Sequence, residues 1–310
     1  RLLQTEVRRH WGGRSAGHAG ESWLQRFWPR LAFALGVVAV LGTAAALGHW
    51  RLRARSARAV QSFFYLPVMV PEIVLGLALR LSPASPERIY RSLPFGESLE
   101  VFALDLMHER SANSANRQAA PGPDTALLGL AQLDWLKARL AASRATWKVV
   151  ASDMPIGVVV GDGPGACEAV ANGDDGTPLG REHEIAALLS FLKARDVRNV
   201  VWITADVHYA AVHHYSPERA RFRDFRPFYE IVAGPAHAGT FGPAALDATF
   251  GPEVRFLGIP RGMKPNRPPS DGLQFFGLAD VDGRAGVLRL EIRNRDGATL
   301  HRLEIEPDRP

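Results

Sequence analysis

The sequence predicts an α/β protein with a layered core, and three observations lead there. From residue 99 to residue 204, short apolar strands alternate with helices of regular apolar spacing. The last third of the chain then turns to strands joined by tight turns. Everything before residue 86 differs in composition, being rich in arginine around long uncharged runs.

The elements follow in order. Residues 31–48 read LAFALGVVAVLGTAAALG without one charge, which meets the length of roughly 18 apolar residues that a membrane-crossing helix needs. Trp28, Trp50 and the arginines on either side suit a bilayer interface, and a buried core helix is the alternative. Residues 63–79 are apolar too but carry Pro67, Pro71 and Glu72. Such a segment spans a membrane only where neighbouring helices satisfy its freed backbone groups. Ser82, Pro83, Ser85 and Pro86 mark a boundary near residue 86. Two regions are thus expected: a basic one, residues 1–86, with apolar helices at 31–48 and 63–79, and an α/β region, residues 87–310.

In the second region, residues 99–106 (LEVFALDL) are a strand and residues 126–143, with apolar spacing around Trp135 and Leu136, a helix. Residues 147–152 (WKVVAS) form the next strand. Residues 182–195 form an amphipathic helix, with acids at its start and bases at its end as the helix dipole favours. Residues 199–204 (NVVWIT) are a further strand. Strands at 229–233, 274–281, 286–293 and 299–304, with turns at Asp282-Gly283 and Asp296-Gly297, suggest a final antiparallel sheet on the core.

Composition narrows the function. A chain of 310 residues with 46% hydrophobic content can bury a sizeable core. The formal charge of +5 is concentrated near the N-terminus, where arginines flank apolar runs, and no basic-aromatic reader motif accompanies it. Nucleic acid is therefore excluded as a main partner. Cys167 is the single cysteine, so no internal disulfide forms; it reads as a loop thiol without a role. The chain begins at Arg1 with no secretion signal, and the natural start is expected upstream.

Two strands end in groups able to hold a metal. WKVVAS runs into Asp153, with Pro155 closing the strand; a lone aspartate there is also an ordinary turn residue. VVWITADVHY places Asp206 and His208 two residues apart, so in extended geometry both side chains point the same way. A carboxylate and an imidazole converging there suit a hard or borderline cation. The alternative is a capping aspartate beside a surface histidine. The acidic run at residues 172–176 lacks the alternating ligands of an EF-hand and reads as a solvated turn. No G-x-S-x-G elbow, P-loop or C-x-x-C pair is present.

Taken together, RIYRSLPFGESLEVFALDL, SANSAN, ATWKVVASDMPIG, LGREHEIAALLSFLKARDVRNVVWITADVHYAA, GPAHAGTFGP and GLQFFGLADVDG resemble the alkaline phosphatase D (PhoD-like) family from about residue 88 to the end. That family belongs with the calcineurin-like metallophosphoesterases, so the resemblance implies part of a layered α/β/β/α core. It implies a hydrolase for phosphomonoesters or phosphodiesters, with calcium and iron, or else manganese or zinc, as cofactors. It implies metal ligation by Asp153, Asp206 and His208, with Asp206 and His208 also counted as catalytic, and phosphate or substrate contact near Asp105 and Arg110. Met107 stands where the family usually has arginine. His208 needs an acceptor for its second ring nitrogen; His213, His214 and His237 are near in sequence, the first two reading as packing residues. His237, within GPAHAGTFGP, is a candidate for lining the site.

Residues before 88 carry no counterpart of the family's earlier metal motifs, so the chain alone is expected to have little or no activity. LPVMVPEIVLGLAL after an arginine-rich loop resembles a permease subunit of ATP-driven importers of the polyamine type, over residues 31–79. The alternative function is therefore a permease fragment with an inert appendage. A phosphoester substrate, membrane contact through the apolar helices, and a membrane-associated or extracytoplasmic location are the remaining expectations.

Overall fold

The computed structural model describes residues 88–309. The apolar segments at 31–48 and 63–79 lie outside the described residues, and no helix among the described residues is long and apolar enough to cross a membrane.

The strands and helices are β1 (Arg91–Phe95), β2 (Leu99–Ala103), α1 (Leu106–Glu109), α2 (Gly129–Ala142), β3 (Trp147–Ala151), α3 (Glu182–Ala194), β4 (Val200–Thr204), β5 (Ala211–Tyr215), β6 (Phe228–Val232), β7 (Pro252–Leu257), β8 (Phe275–Val281), β9 (Leu288–Asn294) and β10 (Thr299–Ile305). Strands β1 to β7 form one sheet in the order β1-β2-β3-β4-β6-β5-β7. The run β2, β3, β4 and β6 is parallel. β1, β5 and β7 are added antiparallel to their neighbours. Strands β10-β9-β8 make a separate antiparallel sheet.

The parallel strands are apolar on both faces because both are covered. Along β4, Val201 points to a core that includes Leu288, Leu290 and Ile292 of β9, while Trp202 points to one built with Leu136 and Leu140 of α2 and Leu188 and Leu192 of α3. Helices thus cover one face of the large sheet and the small sheet covers the other, giving three layers, α/β/β, of the four expected. Trp147 ties the two sheets, its indole N–H donating to the Gly286 carbonyl at 2.7 Å.

β3, β4 and α3 fall within a residue or two of their expected limits. Residues 104–106 are not strand: Asp105 caps α1, accepting from the His108 backbone N–H at 3.2 Å. β1, β5 and β7 were not expected. β1 contains Pro94, which an edge strand tolerates because one side of it needs no donor. β5 (AVHHY) owes its burial to β6 and β7, which flank it in the sheet and follow it in the chain, a setting that local pattern does not carry. The turn at Asp282-Gly283 is wider than a two-residue hairpin: Asp282 Oδ1 accepts from Arg284 and Ala285, and the left-handed residue is Gly286, at φ 76°.

Candidate metal centre

Parallel strands present their carboxyl ends on one side of the sheet, where the following loops meet. Asp105 follows β2, Asp153 follows β3, Asp206 and His208 follow β4, and His237 follows β6. All the expected site residues thus sit past the carboxyl ends of four adjacent parallel strands. The β3–β4 ladder continues into the site, with Ala205 N–H donating to the Asp153 carbonyl at 2.9 Å.

Beyond Thr204 the backbone leaves extended geometry. Asp206 and His208 adopt left-handed φ angles of 64° and 60°, with Val207 N–H closing on the Ala205 carbonyl at 2.8 Å. The expected mechanism of alignment, two residues apart on one strand face, is therefore overturned: both side chains are aimed by two left-handed turns around buried Val207.

Asp206 lies at the mouth of the site. Burial against the protein behind it raises its carboxyl above the ordinary range, and the charges of Asp153 and Glu168 raise it further against the pull of His208 and Arg110. Three carboxylates thus share one field that a cation would relieve. Glu168 was missed by sequence reading. It faces Arg110, whose guanidinium lies 3.3 Å from its carboxylate and donates to its main-chain oxygen at 3.1 Å.

The acceptor for the second ring nitrogen of His208 is none of the three neighbouring histidines. His208 Nδ1 lies 2.8 Å from the Gly239 carbonyl, which leaves Nε2 as the nitrogen able to ligate. The segment around Gly239 clamps this residue. Phe241 N–H donates to the His208 carbonyl at 3.1 Å, and the Phe241 ring meets the imidazole edge-on at 5.4 Å. Gly242 lies so close to Tyr209 that a Cβ would stand 2.4 Å from its ring. GPAHAGTFGP therefore serves the site through Gly239, Phe241 and Gly242. His237 itself is exposed. His213 is buried against Glu230, and His214 packs on Tyr229 with ring centroids 4.6 Å apart.

Asp105 is committed elsewhere. Its carboxylate caps α1 and holds His108 Nδ1 at 2.9 Å, while its backbone exchanges two hydrogen bonds with the buried Gln132 amide. It shapes the turn that carries Arg110; its carboxylate does not join the group around Asp206.

Glu168, Asp206, His208, Tyr209 and Phe241 line an open groove of about 400 Å³. Further cavities open at the opposite ends of β3 and β4, around Trp147, Lys148 and Asn199, and hold none of the expected site residues. As a donor set, two aspartates and one imidazole suit a hard or borderline cation. Among the described residues, no three of His, Cys, Asp and Glu converge tightly enough to enclose one ion. The donors fit a metal by chemistry and would supply only part of its shell.

Comparison with known proteins decides the family: the model of PhoD-like phosphatases matches residues 43–292. The chain belongs to the PhoD-like phosphatase family. Alkaline phosphatase D of Bacillus subtilis (strain 168) is 27% identical over 163 residues, covering 50% of this chain and 26% of that protein. A solved structure described as "Structure of PhoD" gives a TM-score of 0.41 at 17% identity, covering 72% of this chain and 41% of that one. The chain thus spans about a quarter of the curated relative's length. The family match begins well ahead of residue 88 and takes in much of the segment likened to a permease. These comparisons support neither the permease alternative nor an inactive chain.

Proposed function

We propose that this chain carries the Asp153, Asp206 and His208 portion of the metal centre of a phosphoester hydrolase acting on organic phosphomonoesters or phosphodiesters. The observation that carries the reading is the crowding of Asp153 and Glu168 around Asp206, beside a His208 whose Nδ1 is already held by Gly239. An Asp206 carboxyl raised by burial and by its carboxylate neighbours, and an imidazole with one nitrogen fixed, are groups prepared for a cation.

Iron and calcium are the proposed metals, with manganese or zinc as alternatives; the oxygen-rich donor set suits calcium, manganese and iron best. When bound, the metals supply charge neutralisation of the phosphoryl group and activation of water. The protein's part is positional. Asp153 and Asp206 would hold the cations at the ends of β3 and β4, and His208 would offer Nε2, its ring being fixed by Gly239 and Phe241. Arg110, tethered by Glu168, supplies a guanidinium at the groove's edge for phosphate oxygens. Phe241 forms an apolar wall beside the imidazole.

Hydrolysis of p-nitrophenyl phosphate and bis(p-nitrophenyl) phosphate, assayed with added iron, calcium or manganese, tests this. Chelator-sensitive turnover is expected, reduced by more than about 100-fold in Asp206→Asn and His208→Gln, beyond the 10–100-fold typical of losing an outer contact. Turnover indifferent to both substitutions would overturn the proposal.

A further inference from the structure

Behind the metal centre lies a buried polar cluster that the chemistry above does not use. β5 and β6 pair antiparallel with His213 opposite Glu230, and Tyr215 shares a strand face with His213. Glu230 is 0% exposed, Tyr215 0% and His213 1%. Glu230 Oε2 accepts from the Tyr215 hydroxyl at 2.7 Å and lies 2.9 Å from His213 Nδ1. Glu230 Oε1 accepts from Ile156 N–H at 2.8 Å, and the Tyr215 oxygen accepts from Gly157 N–H at 2.9 Å.

These last two bonds reach an element from the other part of the sheet. Ile156 and Gly157 belong to the loop that leaves β3 through Asp153, whereas β6 and β5 lie two and three strands from β3. The loop is therefore held at both ends: at Asp153 by Ala205 N–H on its carbonyl, and at Ile156 and Gly157 by Glu230 and Tyr215. Only Met154 and Pro155 lie between, both buried, and the proline ring fixes one of the few free torsions. Gly157 is required for so close an approach: a Cβ there would stand 2.8 Å from Pro252 Cγ and 3.0 Å from the Tyr215 oxygen.

A buried carboxylate is a poor source of stability, since its desolvation offsets most of its attractions and apolar residues of like volume usually serve as well. Its use here fits a demand for one loop geometry. We propose that Glu230 and Tyr215 are positioning residues that set the Asp153 carboxylate against Asp206 by fixing the backbone of Ile156 and Gly157. The consequence for metal affinity rests on the metal-centre reading above; the anchoring of the loop does not.

Two measurements on the full chain separate these. Tyr215→Phe removes one oxygen and keeps the ring, which stacks on Phe228 at 4.6 Å and 8°. Amide hydrogen exchange in this variant is expected to be at least about 10-fold faster at Ile156 and Gly157, with the β3–β4 ladder unchanged. Titration with Mn(II) alone is expected to give an affinity about 10-fold weaker than wild type, in the range for lost outer contacts. Asp206→Asn should weaken Mn(II) binding with no change in exchange at Ile156 and Gly157. If Tyr215→Phe does not fold, Glu230→Gln serves, since it keeps one acceptor oxygen. Wild-type exchange rates at both amides, or faster exchange with undiminished Mn(II) affinity, would overturn the proposal. A wild-type chain that binds no Mn(II) would refute the metal reading instead, and the exchange data would still decide whether the loop is anchored.

Discussion

Replacing Arg181 by methionine should destabilise the protein by about 3–5 kcal/mol, the range for leaving several buried polar groups without their charged partner. Arg181 is 2% exposed and makes no close ion pair among the described residues. Its guanidinium instead donates to the carbonyls of Cys167 at 3.2 Å, Glu168 at 2.8 Å, Ser111 at 2.7 Å and Ala112 at 3.2 Å, and to Asn113 Oδ1 at 3.0 Å. Burial, then the nearby Arg110, lowers its pKa without removing its charge. Methionine fills much of the same volume but leaves those acceptors dry. Each buried acceptor left unmet costs about 1–3 kcal/mol, and relaxation or entering water recovers part, which sets the 3–5 kcal/mol figure below the simple sum. The two loops joined here carry Arg110 and Glu168, so their ion pair should loosen as well. Guanidinium-induced unfolding, followed by tryptophan fluorescence, measures the loss. A change below about 1 kcal/mol with an unaltered slope would refute the claim that this cation holds the two loops together.

Two further outcomes are expected. Glu182 is fully buried at the start of α3, and burial raises its carboxyl from 4.5 to about 8 in spite of donors at Leu179 and Asn172. Because the folded pKa lies above the unfolded one, the stabilisation is complete below about pH 4.5 and is lost as pH rises through 8. The difference of 3.5 units, 8 minus 4.5, sets an upper bound of about 5 kcal/mol. Glu182→Gln should flatten this slope in urea titrations from pH 5 to 9; an identical slope in the variant would show that another group is responsible. Gly242→Ala adds a Cβ 2.4 Å from the Tyr209 ring at a residue with φ 84°, and should destabilise by about 2–4 kcal/mol. In that variant the His208 ring resonances should shift with those of Tyr209, and unshifted His208 signals would count against the clamp.

What the sequence revealed depended on how far each interaction reaches along the chain. β3 and β4 were legible because strands covered on both faces read as unbroken apolar runs, and their tips were legible because a polar residue ends each run. α3 was legible from its apolar period, but the acids at its start do more than the helix dipole requires. Glu182 is buried under donors, and Glu184 accepts from the N–H groups of Leu127 and Leu128 at the start of α2. Glu168 carried no local sign, since its place beside Asp206 is set by Arg110, 58 residues earlier, and by Arg181. Gly239 also lay beyond reach. A carbonyl has no residue-type signature, and only the run GPAHAGTFGP marked that stretch at all. Asp105 was singled out by resemblance and turns out to spend its carboxylate on α1 and His108.

The two left-handed residues after β4 bear on why this strand ends as it does. Non-glycine residues in that region cost on the order of 1–2 kcal/mol each, less for aspartate and histidine than for branched side chains. A strand built for stability alone would run on through Ala205 in extended form. Here the chain turns twice, and the strain is held by contacts on every side: Val207 in the core beneath the small sheet, His208 by Gly239 and Phe241, and Tyr209 buried against Gly242. The imidazole at 208 is used by Gly239 and Phe241, but none of these contacts needs a carboxylate at 206, where asparagine or glycine tolerates the same φ with less repulsion from Asp153 and Glu168. The packing therefore accounts for the turns and for the imidazole but not for the carboxylate at 206, which the proposed metal centre would use as a donor.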